Sequence, residues 1–228
     1  MKALAIIEPI LRNRQRFFAE IRDGDGLGNK IGAMVLSSLV CLMLYGAILG
    51  SSHSVLQALS SAAKLPILFL FTLLICSPTL YFTQVLFGSN QSILQTLTLI
   101  LTAITVTAVL LASFAPISLF FLVASSNYQF FKLLNVAVFG ITGSLGVRFL
   151  AEGVRIVSSS EGREGSRRRM MRLWMLLYAA VGSQLAWTLR PFLGAPSLTF
   201  ELFRSLGGNF YANVFASLGE IFGFWTVR

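Results

Sequence analysis

Few residues in this sequence have the types and spacing to do chemistry, and the most suggestive set lies inside an apolar block. Gln95, Thr98, Thr102 and Thr105 recur at three and four residues within Ile93–Ala124, a run of thirty-two residues without a charge. On a helix these four side chains share one face. Such a face lines a polar path or a cofactor site, or else its hydroxyls bond to carbonyls of their own helix and to neighbouring helices. The second use is the expectation here. His53, the only histidine, stands in a loop where a solvated side chain is expected rather than a ligand. Cys41 and Cys76 fall within two different apolar runs and are expected to act as small reduced hydrophobes. One histidine and two separated cysteines do not supply a usual metal-ligand set. No P-loop, dinucleotide glycine fingerprint or His-containing catalytic constellation is recognisable. Arg148, Glu152 and Arg190 belong to helix ends and Glu220 to the tail, whereas pumps place ionisable groups at mid-depth. An enzyme is therefore not expected, and no cofactor is predicted.

The elements that carry these residues are transmembrane helices. The chain has 228 residues, 55% hydrophobic and 12% charged, with twenty Phe and a net charge of +9, which places it in the polytopic all-α membrane class. At 1.5 Å per residue, Ile93–Ala124 would reach about 48 Å, against a hydrocarbon core of about 30 Å. It is too long for one upright span, and two spans would use about 34 residues before any turn. One crossing over 93–115 is expected, with Pro116 bending the chain so that 116–124 tilts into the interface or re-enters it.

Charge sets the expected orientation. Residues 1–30 hold six Lys/Arg and 148–172 hold seven, while only Lys64 and Lys132 are charged between 31 and 147. Basic segments favour the cytoplasm, so an even number of spans should separate these two. Four do so: 31–50, 65–87, 93–115 and 130–150. A fifth, 170–189, follows a polar loop and carries Trp174 and Trp187 near its ends at interfacial depth. The expected architecture is a bundle of about five spans over 31–189. The N-terminus is cytoplasmic, and the membrane is a bacterial inner or thylakoid membrane. Thirteen of eighteen Lys/Arg lie in the two basic segments, so the charge reads as topology and lipid contact, with no nucleic-acid partner.

Flanking segments complete the plan. Residues 3–22 carry Ile6, Ile7, Ile10, Leu11, Phe17, Phe18 and Ile21 at helical spacing. This predicts an amphipathic helix lying in the headgroup layer, with Arg12, Arg14 and Arg16 on lipid headgroups as Arg167, Arg168 and Arg169 are further on. A turn at Asp23-Gly24-Asp25-Gly26 follows. Ser54-Val55-Leu56-Gln57 has capping-box spacing and predicts a short surface helix before the second span. Cys76-Ser77-Pro78 predicts a mid-membrane kink. Gly46 with Gly50, and Gly140 with Gly143, are the small residues expected at close helix contacts. In the tail, Phe210, Tyr211, Phe215, Phe222, Phe224 and Trp225 form a wide aromatic face, read as an interfacial helix or partner-docking surface rather than a sixth span.

The segment Arg190-Pro191-Phe192-Leu193-Gly194-Ala195-Pro196 resembles one found after the last full span in a set of bacterial multi-span membrane proteins, also present in photosynthetic bacteria. More loosely, the span pattern is similar to five-span proteins of the Yip type. The resemblance implies a fold and no chemistry. Physically, Arg190 anchors a helix end, and two prolines with a glycine predict a rigid exit along the membrane surface. The leading expectation is a non-catalytic membrane subunit or scaffold packed against other integral membrane proteins and lipid. A transport component with a path along Thr98, Thr102 and Thr105, and an accessory subunit of a photosynthetic-membrane complex holding pigment or lipid between Phe-rich faces, are the alternatives.

Overall fold

A computed structural model describes residues 3–86, 91–125, 127–158, 164–193, 200–203 and 210–221. The described residues are helical throughout their regular structure. A 3-10 turn, Ala3–Ile6, leads into α1 (Ile7–Arg12) and α2 (Arg14–Asp23), and the long helices follow: α3 (Leu27–Gly50), α4 (Val55–Leu86), α5 (Ile93–Ala124), α6 (Tyr128–Val157) and α7 (Glu164–Thr188). A short α8 (Phe210–Ile221) closes the order. Among these, α3, α4, α5 and α6 are long and apolar enough to cross a membrane.

The helix boundaries follow local chemistry. Gly24 (φ 84°) and Gly26 (φ 61°) take left-handed backbone that side chains resist, so the expected turn forms between α2 and α3. At the start of α5, Ser92 Oγ accepts from Gln95 N and Gln95 Oε1 accepts from Ser92 N, a complete capping box. Asn127 Oδ1 accepts from Gln129 N and Phe130 N at the start of α6. Within the helices, α5 packs between α3 and α6, α3 also packs on α4, and α7 lies on the far side of α4.

One expected boundary is corrected. Residues 55–64 do not form a separate surface helix; they are the first turns of α4, which continues through Pro66 and Pro78. The reason lies in α3: a Cβ on Gly46 would sit 2.5 Å from the Ser61 carbonyl oxygen, and one on Gly50 would overlap the Gln57 carbonyl. These two glycines let α4 lie against α3 from its first turns, so the chain turns back over 51–54 instead of lying flat. The extension beyond Pro116 is helical too, and α5 ends at Ala124 with Pro116 inside it.

The N-terminal segment differs more. Residues 3–22 form a turn and two helices broken at Asn13 (φ −126°, ψ 48°), and Ile6, Ile10, Phe17, Phe18 and Ile21 are buried. Their apolar stripe is covered by α3, α5 and α6 of the chain itself rather than turned to lipid. Gly153 of α6 makes the space, since a Cβ there would lie 2.6 Å from Phe18 Cε1. Arg14 reaches Glu152 at 3.4 Å, and Lys30 reaches Glu20 at 3.0 Å. The basic N-terminal segment and the basic end of α6 thus meet at one end of the bundle.

Candidate functional site

A buried polar cluster that joins distant parts of the chain lies on the first half of α4. Gln57, Ser61 and Lys64 follow one another at four and three residues, so a helix places them on one face. All three are buried, at 1%, 0% and 4% exposure. What they face is the non-helical segment after α7. Gln57 Nε2 donates to Pro191 O at 2.7 Å and Ser61 Oγ donates to Phe192 O at 2.6 Å. Lys64 Nζ donates to Pro191 O at 3.4 Å and to Leu202 O, and lies 4.9 Å over the Phe203 ring.

Each contact answers a physical need. After α7 the chain leaves helical geometry, so its carbonyls have no partner four residues on and are costly in an apolar setting. A buried ammonium likewise needs acceptors, and two carbonyls with an aromatic face supply them. Phe192 and Leu193 pack on the apolar cluster of Leu42, Tyr45, Leu49, Leu65 and Leu111. Arg190 stacks 3.6 Å over the Trp187 ring, and its peptide bond to Pro191 is cis. Through these hydrogen bonds and apolar contacts the Arg-Pro-Phe segment packs against α4. Gly194 and Pro196 lie outside the described residues.

Two further polar clusters hold the bundle. Tyr45 Oη donates to Asn135 Oδ1 at 2.6 Å and shares a 3.2 Å hydrogen bond with Ser118 Oγ, joining α3, α5 and α6. Asn135 Nδ2 donates to Phe131 O, so the buried amide is satisfied at both ends. At the basic end, Gln95 Nε2 donates to Ile21 O (3.1 Å) and Arg22 O (2.8 Å), the last carbonyls of α2. One side chain thus caps the end of α2 and the start of α5.

The threonines are buried and bond to their own helix: Thr98 to Leu94 O at 2.6 Å, Thr102 to Thr98 O at 2.7 Å, Thr105 to Leu101 O at 2.8 Å. Thr105 Oγ1 also lies 3.0 Å from Ser38 Oγ of α3. Trp174, expected at the interface, is buried and donates its indole N–H to Cys76 O at 3.1 Å, tying α7 to the middle of α4. Gly46 and Gly50 make the close approach already described, whereas Gly140 and Gly143 have nothing within 4 Å of an added Cβ. Gly146 takes that role on α6, where a Cβ would overlap Thr107 Oγ1 and lie 2.8 Å from Ala103 O.

The tail helix α8 is held at its edge by polar contacts. Lys132 Nζ donates to Asn213 Oδ1 at 3.1 Å, and Tyr211 Oη lies 3.0 Å from Ser183 Oγ, so α8 rests on α6 and α7. Ser217 is buried while Phe215 is 69% exposed and Phe210 is partly covered. Phe222, Phe224 and Trp225 lie outside the described residues, as do the side chains of Arg167 and Arg168; Arg169 is exposed. His53 sits in the α3–α4 turn with Nδ1 3.3 Å from Ser54 Oγ, and both cysteines are buried thiols. Among the described residues no three His, Cys, Asp or Glu side chains converge.

Fold and site together define a helical membrane protein whose buried polar side chains join its own elements. No protein-family model, curated protein or solved structure matches the chain.

Proposed function

We propose that this chain is a non-catalytic integral membrane subunit, a five-span scaffold that presents its C-terminal tail to another membrane protein. The observation that carries the reading is the latch on α4. Three buried polar side chains hold Pro191, Phe192 and Leu202 by their carbonyls, and beyond them α8 is seated on α6 and α7 with Phe215 facing outward. A docked helix that leaves a large aromatic side chain exposed is suited to binding, because aromatic groups dominate contact energy where they are excluded from water. The bonding of the threonines to their own helix supports a packing role for that face.

In this reading α7 is the fifth span. Its part within the expected span, residues 170–188, rises about 28 Å, close to the hydrocarbon thickness of about 30 Å, and its buried Trp174 pairs with the middle of α4. The two basic segments at one end of the bundle face the cytoplasm, and α8 lies on the opposite side. A reporter active only in the cytoplasm should work when fused at Gly165 and fail at Gly50 or Ser125. Activity at Ser125 would overturn the orientation.

The function itself is tested by purification in mild detergent, where a membrane protein should copurify and Phe215→Ser should release it while the spans stay inserted. A lone monomer with no associated protein would overturn the proposal.

A further inference from the structure

Ion pairing divides the arginines of the basic end into two groups. Every arginine of the N-terminal segment has a carboxylate close by: Arg12 with Glu8 at 3.2 Å, Arg14 with Glu152 at 3.4 Å, Arg16 with Glu20 at 3.2 Å and Arg22 with Asp23 at 3.1 Å. On α6, Arg148 and Arg155 are both exposed, and among the described residues no carboxylate pairs with either. Glu152, the acidic residue between them, is engaged by Arg14 of α2. The free positive charge therefore lies on α6, and at exposed Arg169 and Arg172 on α7, and not on the N-terminal helices, where the amphipathic pattern would put it.

Depth and register favour one ligand. Arg148 and Arg155 are seven residues apart, so they share a helix face with about 10.5 Å between them along the axis. The same face carries exposed Ile141 and Ser144 a turn or two earlier. Arg148 is twenty residues beyond Tyr128, the first residue of α6, a rise of about 30 Å that matches the hydrocarbon thickness. An outward face that is largely apolar up to that depth and then cationic follows the profile of a lipid molecule, with acyl chain first and phosphate after. Guanidinium groups suit phosphate because their fork of donors matches its oxygens.

We propose that Arg148 and Arg155 form a binding site for the headgroup of an anionic phospholipid on the outward face of α6. The inference rests on the membrane reading above, but not on the tail's partner. Its test uses purified full-length protein, so loss of the partner and loss of lipid are scored separately.

The experiment is native mass spectrometry of protein released from phosphatidylcholine nanodiscs containing about one part in five phosphatidylglycerol. The wild type should retain phosphatidylglycerol preferentially. Arg148→Gln with Arg155→Gln should weaken that retention by about thirtyfold, and Arg155→Gln alone by about fivefold. Arg12→Gln with Arg16→Gln should leave it within about twofold, since both arginines are already paired. Unchanged retention in the α6 variants, or an equal loss in the N-terminal ones, would overturn the site. Displacement by inorganic phosphate at the lipid's own concentration would make the occupant a soluble anion and overturn the lipid assignment; failure to displace supports it. Should the double variant not fold, Arg155→Gln decides alone.

Discussion

Replacing Lys64 by Met is the sharpest test of the latch, because it keeps most of the buried stem and removes the donor. Pro191 O retains its bond from Gln57 Nε2, but Leu202 O loses the Lys64 Nζ it accepts from. An unpaired, part-buried carbonyl costs about 1–2 kcal/mol. Opening of the tail should therefore become easier by a factor of roughly 5 to 30. The bundle as a whole should respond in the other direction or not at all. Removing the ammonium also removes its desolvation cost, and replacing buried charge by an apolar side chain is often neutral or stabilising.

The opposed signs make hydrogen exchange of the detergent-solubilised protein decisive. Peptides covering 190–203 should exchange faster by the factor above, while those from the middle of α3 and α5 stay unchanged. Uniform acceleration across all helices would mean that Lys64 supports the bundle rather than the tail. No acceleration at 190–203 would mean that the segment is held by Phe192 and Leu193 alone, and the polar ladder would lose its assigned role. Gln57→Leu with Ser61→Ala should reproduce the local effect at about 1 kcal/mol per lost bond.

Other expectations are independent of the latch. Gly46→Leu or Gly50→Leu should separate α3 from α4 and lower the thermal midpoint strongly, because each added side chain meets backbone of Ser61 or Gln57; Gly140→Ala, which meets open space, should be neutral or stabilising by about 0.5–1 kcal/mol. Trp174→Phe removes the bond to Cys76 O and should cost about 1 kcal/mol, read as a lower unfolding temperature with α7 loosened first. The hydrogen bond and charge of Lys30 hold the Glu20 carboxyl below its usual value. A carboxylate with a depressed value in the folded state stabilises above the unfolded value and loses this as pH falls through the folded one. Docking of α2 should thus weaken on acidification below the ordinary carboxylate range, measured as protease access to 3–23, and Glu20→Gln should flatten that dependence.

Much of the helix plan was legible because an apolar run and a polar turn have direct physical meanings. The partner of each face was not. An amphipathic stripe such as Ile6, Ile10, Phe17, Phe18 and Ile21 reads the same whether lipid or protein covers it, and the deciding residue, Gly153, lies well over a hundred positions away. Gly46 and Gly50 resemble Gly140 and Gly143 in sequence, yet only the first pair meets a neighbouring backbone. Lys64 looked like a charge between a loop and a span, because nothing local announces that Pro191 and Leu202 lie against it.

Threonine on an apolar helix can satisfy itself on the carbonyl four residues back, as Thr98, Thr102 and Thr105 do, so a threonine ladder implies no outside partner. Glutamine and lysine carry their polar atoms well beyond the backbone of their own turn, and in an apolar setting those atoms must find acceptors elsewhere. Gln57 and Lys64 reach the tail, and Gln95 reaches the end of α2. Gln57, Lys64 and Gln95 are thus positions at which this bundle joins its flanking segments. By that rule, substituting Gln95 should free the N-terminal segment as substituting Lys64 frees the tail, each without disturbing the threonine face between them.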